Sequence, residues 1–146
     1  MTIQTATPYL ILNGQAQRAI ALYQRALGAN PGALQRFGDV DGSCPEARKS
    51  FVMHAELRVG DAMLMLSDGP AEGPMPGAGA VSIALNIDDQ AQARQSFEAL
   101  AASGKVIQPL FDAPWGALFG VVADEFGVHW MFNCSTKPPA GLERRA

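Results

Sequence analysis

The chemistry available to this chain of 146 residues depends first on its two histidines, His54 and His129. Glu56 follows His54 at a spacing of two, so in a strand its carboxylate and the imidazole lie on one face. This pattern predicts either a histidine that a carboxylate orients in a binding site, or a strand histidine that is bonded to a neighbour or faces solvent. His129 likewise shares a strand face with Met131.

These residues give little support for a divalent metal site. A catalytic zinc or nickel site takes about three ligands from histidine, carboxylate or thiolate, and no Asp or Glu shares the predicted strand of His129. Cys44 and Cys134 are predicted to be unrelated thiols, with a disulfide as the alternative. No dinucleotide loop or P-loop motif is present either. We therefore predict no metal and no other cofactor.

The two tryptophans are candidates for the wall of a ligand pocket. Trp115 stands in a predicted loop or strand entry, where it packs either on a ligand or on the core. Trp130 and Phe132 alternate with His129 and Met131 along one predicted strand. One pair must therefore face the core and the other a pocket.

A polar pair, Ser67 and Asp68, directly precedes Gly69 at the end of a predicted strand. Both residue types form hydrogen bonds with nearby backbone groups in turns, and we predict that role here. The alternative is that the pair faces a ligand.

The elements that position these residues come from a repeat. Residues 6–28 recur in register 75 positions later, so that Asn13 aligns with Asp88 and Leu22 with Phe97. Each copy has a short apolar run, a polar pair, an amphipathic helix and three strand-like segments. The unit is therefore predicted to be β-α-β-β-β. The predicted strands after the helices cover residues 34–40, 51–59, 62–66, 105–111, 118–124 and 128–133.

Both helices have recognisable ends. Asn13 is the predicted N-cap of the first helix, and Asp88 or Asp89 that of the second. Gly104 is predicted to end the second helix in the left-handed conformation. The apolar stripe of each helix is predicted to pack on a sheet.

The repeat also predicts the domain organisation, a single domain over residues 1–146. Unit one covers about 5–68, unit two about 80–134, and 135–146 form a tail. The segment 69–79 is so rich in glycine and proline that it is predicted to be the linker. The two units can pair within one chain or, by exchange, between two chains.

Composition limits the partners. The chain is 48% hydrophobic and 17% charged, with a net charge of −3. The chain lacks the basic stripe that is typical of nucleic-acid-binding proteins. Its longest apolar runs fall short of the roughly 20 residues that span a bilayer. We predict a soluble cytoplasmic protein with a small-molecule ligand, no nucleic acid and no membrane partner.

Three segments carry a family resemblance: residues 7–28, 54–68 and 114–133. The duplicated unit, with the D-x-x-G motif (Asp124 to Gly127) before the last strand, resembles the vicinal oxygen chelate superfamily. That superfamily includes glyoxalase I, fosfomycin-resistance proteins and extradiol dioxygenases. Within it, these segments are similar to the PhnB-like branch, also labelled 3-demethylubiquinone 3-methyltransferase-like.

The resemblance implies an α+β, glyoxalase-like fold. Two paired β-α-β-β-β units then form an open, cupped eight-stranded sheet around a pocket, usually in a homodimer. Metal-using relatives take their ligands from the first and last strands of each unit. The matching positions here are Thr7, Ser82, Met131 and the strand 62–66, none of which offers a good divalent-metal ligand.

Two function classes follow. The first is a metal-free small-molecule binder that uses the concave pocket, with Ser82 or His54 as polar anchor. The alternative is a vicinal oxygen chelate enzyme, a lyase, isomerase or dioxygenase, acting with a divalent metal on a small oxygenated metabolite. The missing ligands favour the first, and no catalytic residue is assigned. The predicted ligand-binding residues are Tyr9, His54, Met65, Ser82, Trp115, Phe119 and Trp130.

Overall fold

A computed structural model describes residues 5–40, 42–69 and 81–136 of the chain. These residues form two compact units, one before and one after the segment 70–80. The predicted linker after Gly69, and the predicted tail from residue 137 onward, lie outside the described residues. The predicted domain boundaries therefore stay predictions.

Both units run β-α-β-β-β. The first contains β1 (Tyr9–Ile11), α1 (Ala16–Leu27), β2 (Asn30–Arg36), the short helix α2 (Phe37–Val40), a 3-10 turn (Glu46–Arg48), β3 (Val52–Val59) and β4 (Ala62–Ser67). The second contains β5 (Ile83–Ile87), α3 (Gln90–Ala101), β6 (Lys105–Ala113), β7 (Ala117–Ala123) and β8 (His129–Ser135).

Each unit forms one four-stranded mixed sheet. The strand orders are β1-β4-β3-β2 and β5-β8-β7-β6. In both sheets the first strand of the unit pairs in parallel with the last, and the other pairs are antiparallel. The predicted α+β, glyoxalase-like fold class is confirmed, with its eight strands distributed over two sheets.

The second strand differs from the prediction, which placed it at residues 34–40. It covers Asn30–Arg36 instead, and the chain then turns into α2. Pro31 is tolerated because, among the described strands, β2 is an edge strand that pairs with β3 alone. The N–H of Phe37 donates to the carbonyl of Phe51 at 3.0 Å, which ties the start of α2 to the residue before β3.

The predicted N-cap of α1 is wrong. Asn13 has a positive φ of 45°, and the residue before the helix is Gln15, whose side chain does not cap it. The N–H of Ala16 instead donates to Asp68 Oδ1 at 2.8 Å. A carboxyl group beyond β4 therefore caps this helix.

In α3 the predicted cap is confirmed, and it is Asp89, whose side chain accepts from the N–H groups of Ala91 and Gln92. The predicted left-handed stop at Gly104 is wrong, because the φ of Gly104 is not positive. The glycine is needed for a close approach. A Cβ there would overlap the carbonyl oxygen of Ala123 and lie 2.9 Å from the Cα of Asp124.

The core of each unit lies between its long helix and one face of its sheet. Phe97 of α3 packs edge-on against Phe132, with ring centroids 5.2 Å apart. We call the opposite face of each sheet its helix-free face. No helix within the described ranges is long and apolar enough to cross a membrane. The buried strand residues on the helix side are Val52, Ala55, Leu57, Leu64 and Leu66 in the first unit, and Leu118, Val122, Trp130, Phe132 and Cys134 in the second.

Candidate functional site

On the helix-free face of the first sheet, Tyr9, Met65 and Glu56 form one row across three strands. Tyr9 of β1 pairs with Met65 of β4, and Met65 pairs with Glu56 of β3. The next row contains Leu66 and Ala55, which are buried on the helix side. Because successive strand residues alternate between faces, the Tyr9 row points the other way.

The structure brings two predicted site residues of this face, Tyr9 and His54, into direct contact. The Tyr9 hydroxyl lies 2.8 Å from His54 Nδ1, and the two ring centroids are 5.6 Å apart. On the other side of the imidazole, Nε2 lies 3.8 Å from Glu56 Oε2. That distance is too long for a hydrogen bond but short enough for the charge to act on the ring.

The helix-free face of the second sheet carries an aromatic cluster, which we define as Phe111, Trp115 and Phe119. Phe119 lies between the other two rings, at centroid distances of 5.3 Å from Trp115 and 6.3 Å from Phe111, both edge-to-face. Trp115 is 54% exposed and Phe111 40%. Large aromatic side chains that remain this exposed are typical of binding surfaces.

A polar residue fixes the outer ring of the aromatic cluster. Trp115 Nε1 donates to Asn133 Oδ1 at 3.1 Å. Asn133 pairs with Phe119 in the strand register, so it stands on the same face. The indole is therefore held in place while much of its surface stays accessible.

The other two predicted site residues are Ser82 and Trp130. Ser82 is exposed, directly before β5. Trp130 differs from its predicted place in the pocket wall, because it is fully buried on the helix side of the second sheet. Its Nε1 donates to Asp124 Oδ2 at 2.9 Å, and this buried partner is what lets an indole lie in the core.

Sequence reasoning did not select Phe111 and Asn133. Asn133 gives a usable signal, as the amide in the last apolar strand, two residues from Met131 and therefore on the same face as Met131. Phe111 is less accessible to prediction. It pairs with Phe119 only after β6 has passed two register shifts, which sequence periodicity does not reveal.

Few of the side chains described on either helix-free face are of a kind that binds a metal ion. Met131 lies on the helix-free face of β8, and Thr7 stands before β1. Among residues 5–40, 42–69 and 81–136, no three His, Cys, Asp or Glu side chains are grouped to hold a metal ion. His129 Nδ1 is buried and has no hydrogen-bond partner within the same ranges.

Cys134 does not supply a nucleophile. Cys44 and Cys134 are both free thiols. Burial raises the pKa of the Cys134 thiol, and the carboxylates of Asp89 and Asp88 raise that pKa further. The thiol therefore stays protonated and unreactive at neutral pH.

The chain matches known proteins over most of its length. The model of the Glyoxalase/Bleomycin resistance protein/Dioxygenase superfamily matches residues 5–132. Protein YjdN of Escherichia coli is 32% identical over 143 residues, which cover 91% of this chain and 97% of that protein.

Solved structures agree with this family match. Protein PA1353 from Pseudomonas aeruginosa is 41% identical, with a TM-score of 0.80 over 91% of this chain and 98% of that one. A PhnB protein from Bacillus cereus is 20% identical, with a TM-score of 0.75 over 90% of this chain and 100% of that one, a likeness of fold alone. The chain therefore belongs to the glyoxalase/bleomycin resistance protein/dioxygenase superfamily.

Proposed function

We propose that this protein binds a small planar or amphiphilic molecule without a metal, using the helix-free faces of its sheets. The observation that carries the proposal is the exposed aromatic cluster. A sheet face that simply meets water usually carries polar side chains. Here three aromatic rings occupy it, and Asn133 holds the most exposed of them, Trp115, in a fixed orientation.

The fixed orientation matters for affinity. A ring that is already immobilised loses little conformational freedom when a ligand covers it. The indole makes an edge-to-face contact with Phe119 and remains 54% exposed, so part of its surface is available for stacking. The aromatic cluster is therefore suited to a flat apolar ligand group.

The first unit has polar groups of its own on its helix-free face. Tyr9 and His54 form a hydrogen-bonded pair on the helix-free face, and Met65 provides an adaptable apolar surface beside Tyr9. Apolar walls with a few positioned polar groups are the usual composition of a small-molecule site. Ser82 stays in the proposal as the alternative polar anchor to His54, supported by its exposure at the start of β5.

Replacing Trp115 with alanine is expected to weaken binding of the amphiphilic probe 8-anilinonaphthalene-1-sulfonate by roughly tenfold, since the exposed stacking surface is lost. Because Trp115 is 54% exposed, the free protein should lose less than about 1 kcal/mol of stability. Probe fluorescence and thermal melting measure the two effects.

The matched control for that test is Val40→Ala. Val40 is equally exposed, at 54%, but belongs to α2 of the other unit. Its replacement should leave both probe affinity and melting temperature unchanged. Unaltered probe affinity in Trp115→Ala would remove the aromatic cluster from the site.

An enzyme that uses a divalent metal is the second candidate. The observation in its favour is His129 Nδ1, which is buried without a hydrogen-bond partner in the described part of the chain. We expect dialysed protein to contain only a small fraction of one zinc, nickel, manganese or iron ion per chain, because the neighbouring family positions Met131 and Ser82 offer no charged ligand.

Elemental analysis after dialysis checks this expectation. About one metal ion per chain, lost in His129→Ala, would overturn the metal-free proposal and favour the enzyme.

We also propose a homodimer located in the cytoplasm. Apolar exposure at the edge of the second sheet supports the dimer, since Val106 and Ile107 of the edge strand β6 are 42% and 48% exposed. Side chains of this kind on an edge strand favour association with another chain.

A further inference from the structure

Tyr9, His54 and Glu56 form a chain of polar groups on the helix-free face of the first sheet. The Tyr9 hydroxyl is 2.8 Å from His54 Nδ1, and His54 Nε2 is 3.8 Å from Glu56 Oε2. Tyr9 is 45% exposed, and its hydrogen bond with His54 lies at an exposed position. The order of the groups runs from a carboxylate at one end to an accessible phenol at the other.

This order gives the three polar groups a hydrogen-bonding direction. A neutral imidazole has one N–H donor and one acceptor nitrogen. The negative charge of Glu56 beside Nε2 favours the tautomer that carries its hydrogen there, because the other tautomer would place a lone pair against the carboxylate. His54 Nδ1 is then the acceptor, and the Tyr9 hydroxyl donates to it.

The surroundings of His54 do not oppose this tautomer. Its neighbour in the strand register is the uncharged Gln35 of β2. The next charged side chain on the same strand face is Arg58, four residues from His54, which is exposed and lies beyond Glu56. The carboxylate of Glu56 is therefore the charge closest to the ring along that strand.

We propose that Tyr9 is a directional hydrogen-bond acceptor and that it selects ligands with a phenolic or enolic hydroxyl. The only hydrogen of the Tyr9 hydroxyl is committed to His54, so its oxygen presents lone pairs to the ligand. A ligand hydroxyl can donate to that oxygen, whereas a ligand carbonyl finds no donor. This inference rests on the proposed function, since it names the ligand group that the proposed site takes.

In this arrangement Tyr9 is the binding residue, and His54 and Glu56 are positioning residues that act through it. An isolated tyrosine hydroxyl would serve donors and acceptors alike, because it can rotate. His54 removes that freedom by occupying the hydrogen. Replacing His54 with leucine should therefore release the hydroxyl to donate to a carbonyl.

Two fluorescent probes of similar shape test the direction. One is 2-naphthol, which donates a hydrogen bond, and the other is 2-acetylnaphthalene, which only accepts one. At about pH 8, where histidine side chains are ordinarily neutral, we expect the protein to bind 2-naphthol roughly threefold to tenfold more tightly, the value of one net hydrogen bond.

Three variants test which residues cause the preference for 2-naphthol over 2-acetylnaphthalene. Tyr9→Phe should bind both probes alike, at the weaker affinity. His54→Leu should bind 2-acetylnaphthalene more tightly relative to 2-naphthol than the unaltered protein does, because general exposure of apolar surface would raise the affinity for both probes. Glu56→Gln should reduce the preference, whereas its control Glu46→Gln, an exposed residue paired with Lys49, should keep it.

Nitrogen NMR of the imidazole gives a reading without any ligand. We expect the Nε2–H tautomer of His54 to predominate in the unaltered protein. Its population should fall in Glu56→Gln. An Nδ1–H tautomer would overturn the inference.

The probe results separate this inference from the proposed function. Equal affinity of the unaltered protein for both probes would overturn the directional acceptor and leave small-molecule binding in place. Failure to bind either probe at millimolar concentration would overturn both.

Discussion

Replacing Asp68 with alanine is expected to lower the free energy of unfolding by about 3 to 5 kcal/mol, because three backbone N–H groups lose a buried acceptor. The Asp68 side chain is 3% exposed. It accepts hydrogen bonds of 2.8 Å from the backbone nitrogens of Gly14, Ala16 and Val52. Urea unfolding followed by circular dichroism measures the loss.

Two further variants sharpen this test. Asp61→Ala, in the exposed turn between β3 and β4, removes a carboxyl group without a buried role and should leave the unfolding midpoint nearly unchanged. Asp68→Asn should give an intermediate loss, because the amide keeps one acceptor oxygen but turns a donor toward one of the N–H groups. A midpoint for Asp68→Ala equal to that of Asp61→Ala would contradict the capping role.

Trp130→Ala is expected to destabilise the free protein by about 3 to 5 kcal/mol, since it removes a large side chain from a packed core. Trp130 is 0% exposed, and its indole N–H donates to Asp124. That carboxyl group also accepts from the backbone nitrogens of Phe126 and Val128, so the turn before β8 loses support as well. Thermal and urea unfolding measure the effect.

Trp115→Ala is the natural comparison, because it makes the same change at an exposed position. The two variants should separate cleanly, with stability lost in Trp130→Ala and probe affinity lost in Trp115→Ala. Similar stabilities for the two would contradict the division between the helix side and the helix-free face of the second sheet.

Sequence reasoning predicted the architecture because duplication is a strong signal. Asn13 aligns with Asp88 and Leu22 with Phe97, so a helix recognised in one copy supports its counterpart in the other. Amphipathic periodicity placed both long helices, and Asp89 caps α3 as predicted. Helix periodicity and helix caps of this kind depend on residues close together in the sequence, so they can be predicted from it.

Long-range contacts explain most of the errors. The cap of α1 comes from Asp68, 52 residues beyond Ala16, which no local motif shows. Alternation in β8 separated Trp130 from His129 but did not identify the core side. That choice depends on Asp124, which offers a buried partner to the indole N–H.

The sequence identified several residues of the candidate site but not the contacts between them. Tyr9 and His54 were selected separately, and their hydrogen bond follows from the pairing of β1 with β4 and of β4 with β3. One of the two alternatives predicted for His54 was that Glu56 orients it, because the two share a strand face. Strand alternation gives neighbours within one strand, but neighbours across strands require the register.

The parallel pairing of the first and last strands affects the order in which each unit folds. Within the described residues β1 pairs only with β4, and β5 only with β8, so the strand synthesised first finds its partner in the strand synthesised last. The intervening chain must close a long loop before this pair forms, which is slow compared with forming the hairpin of β3 and β4. On the ribosome, Tyr9 therefore meets its strand neighbour only after the whole first unit has emerged.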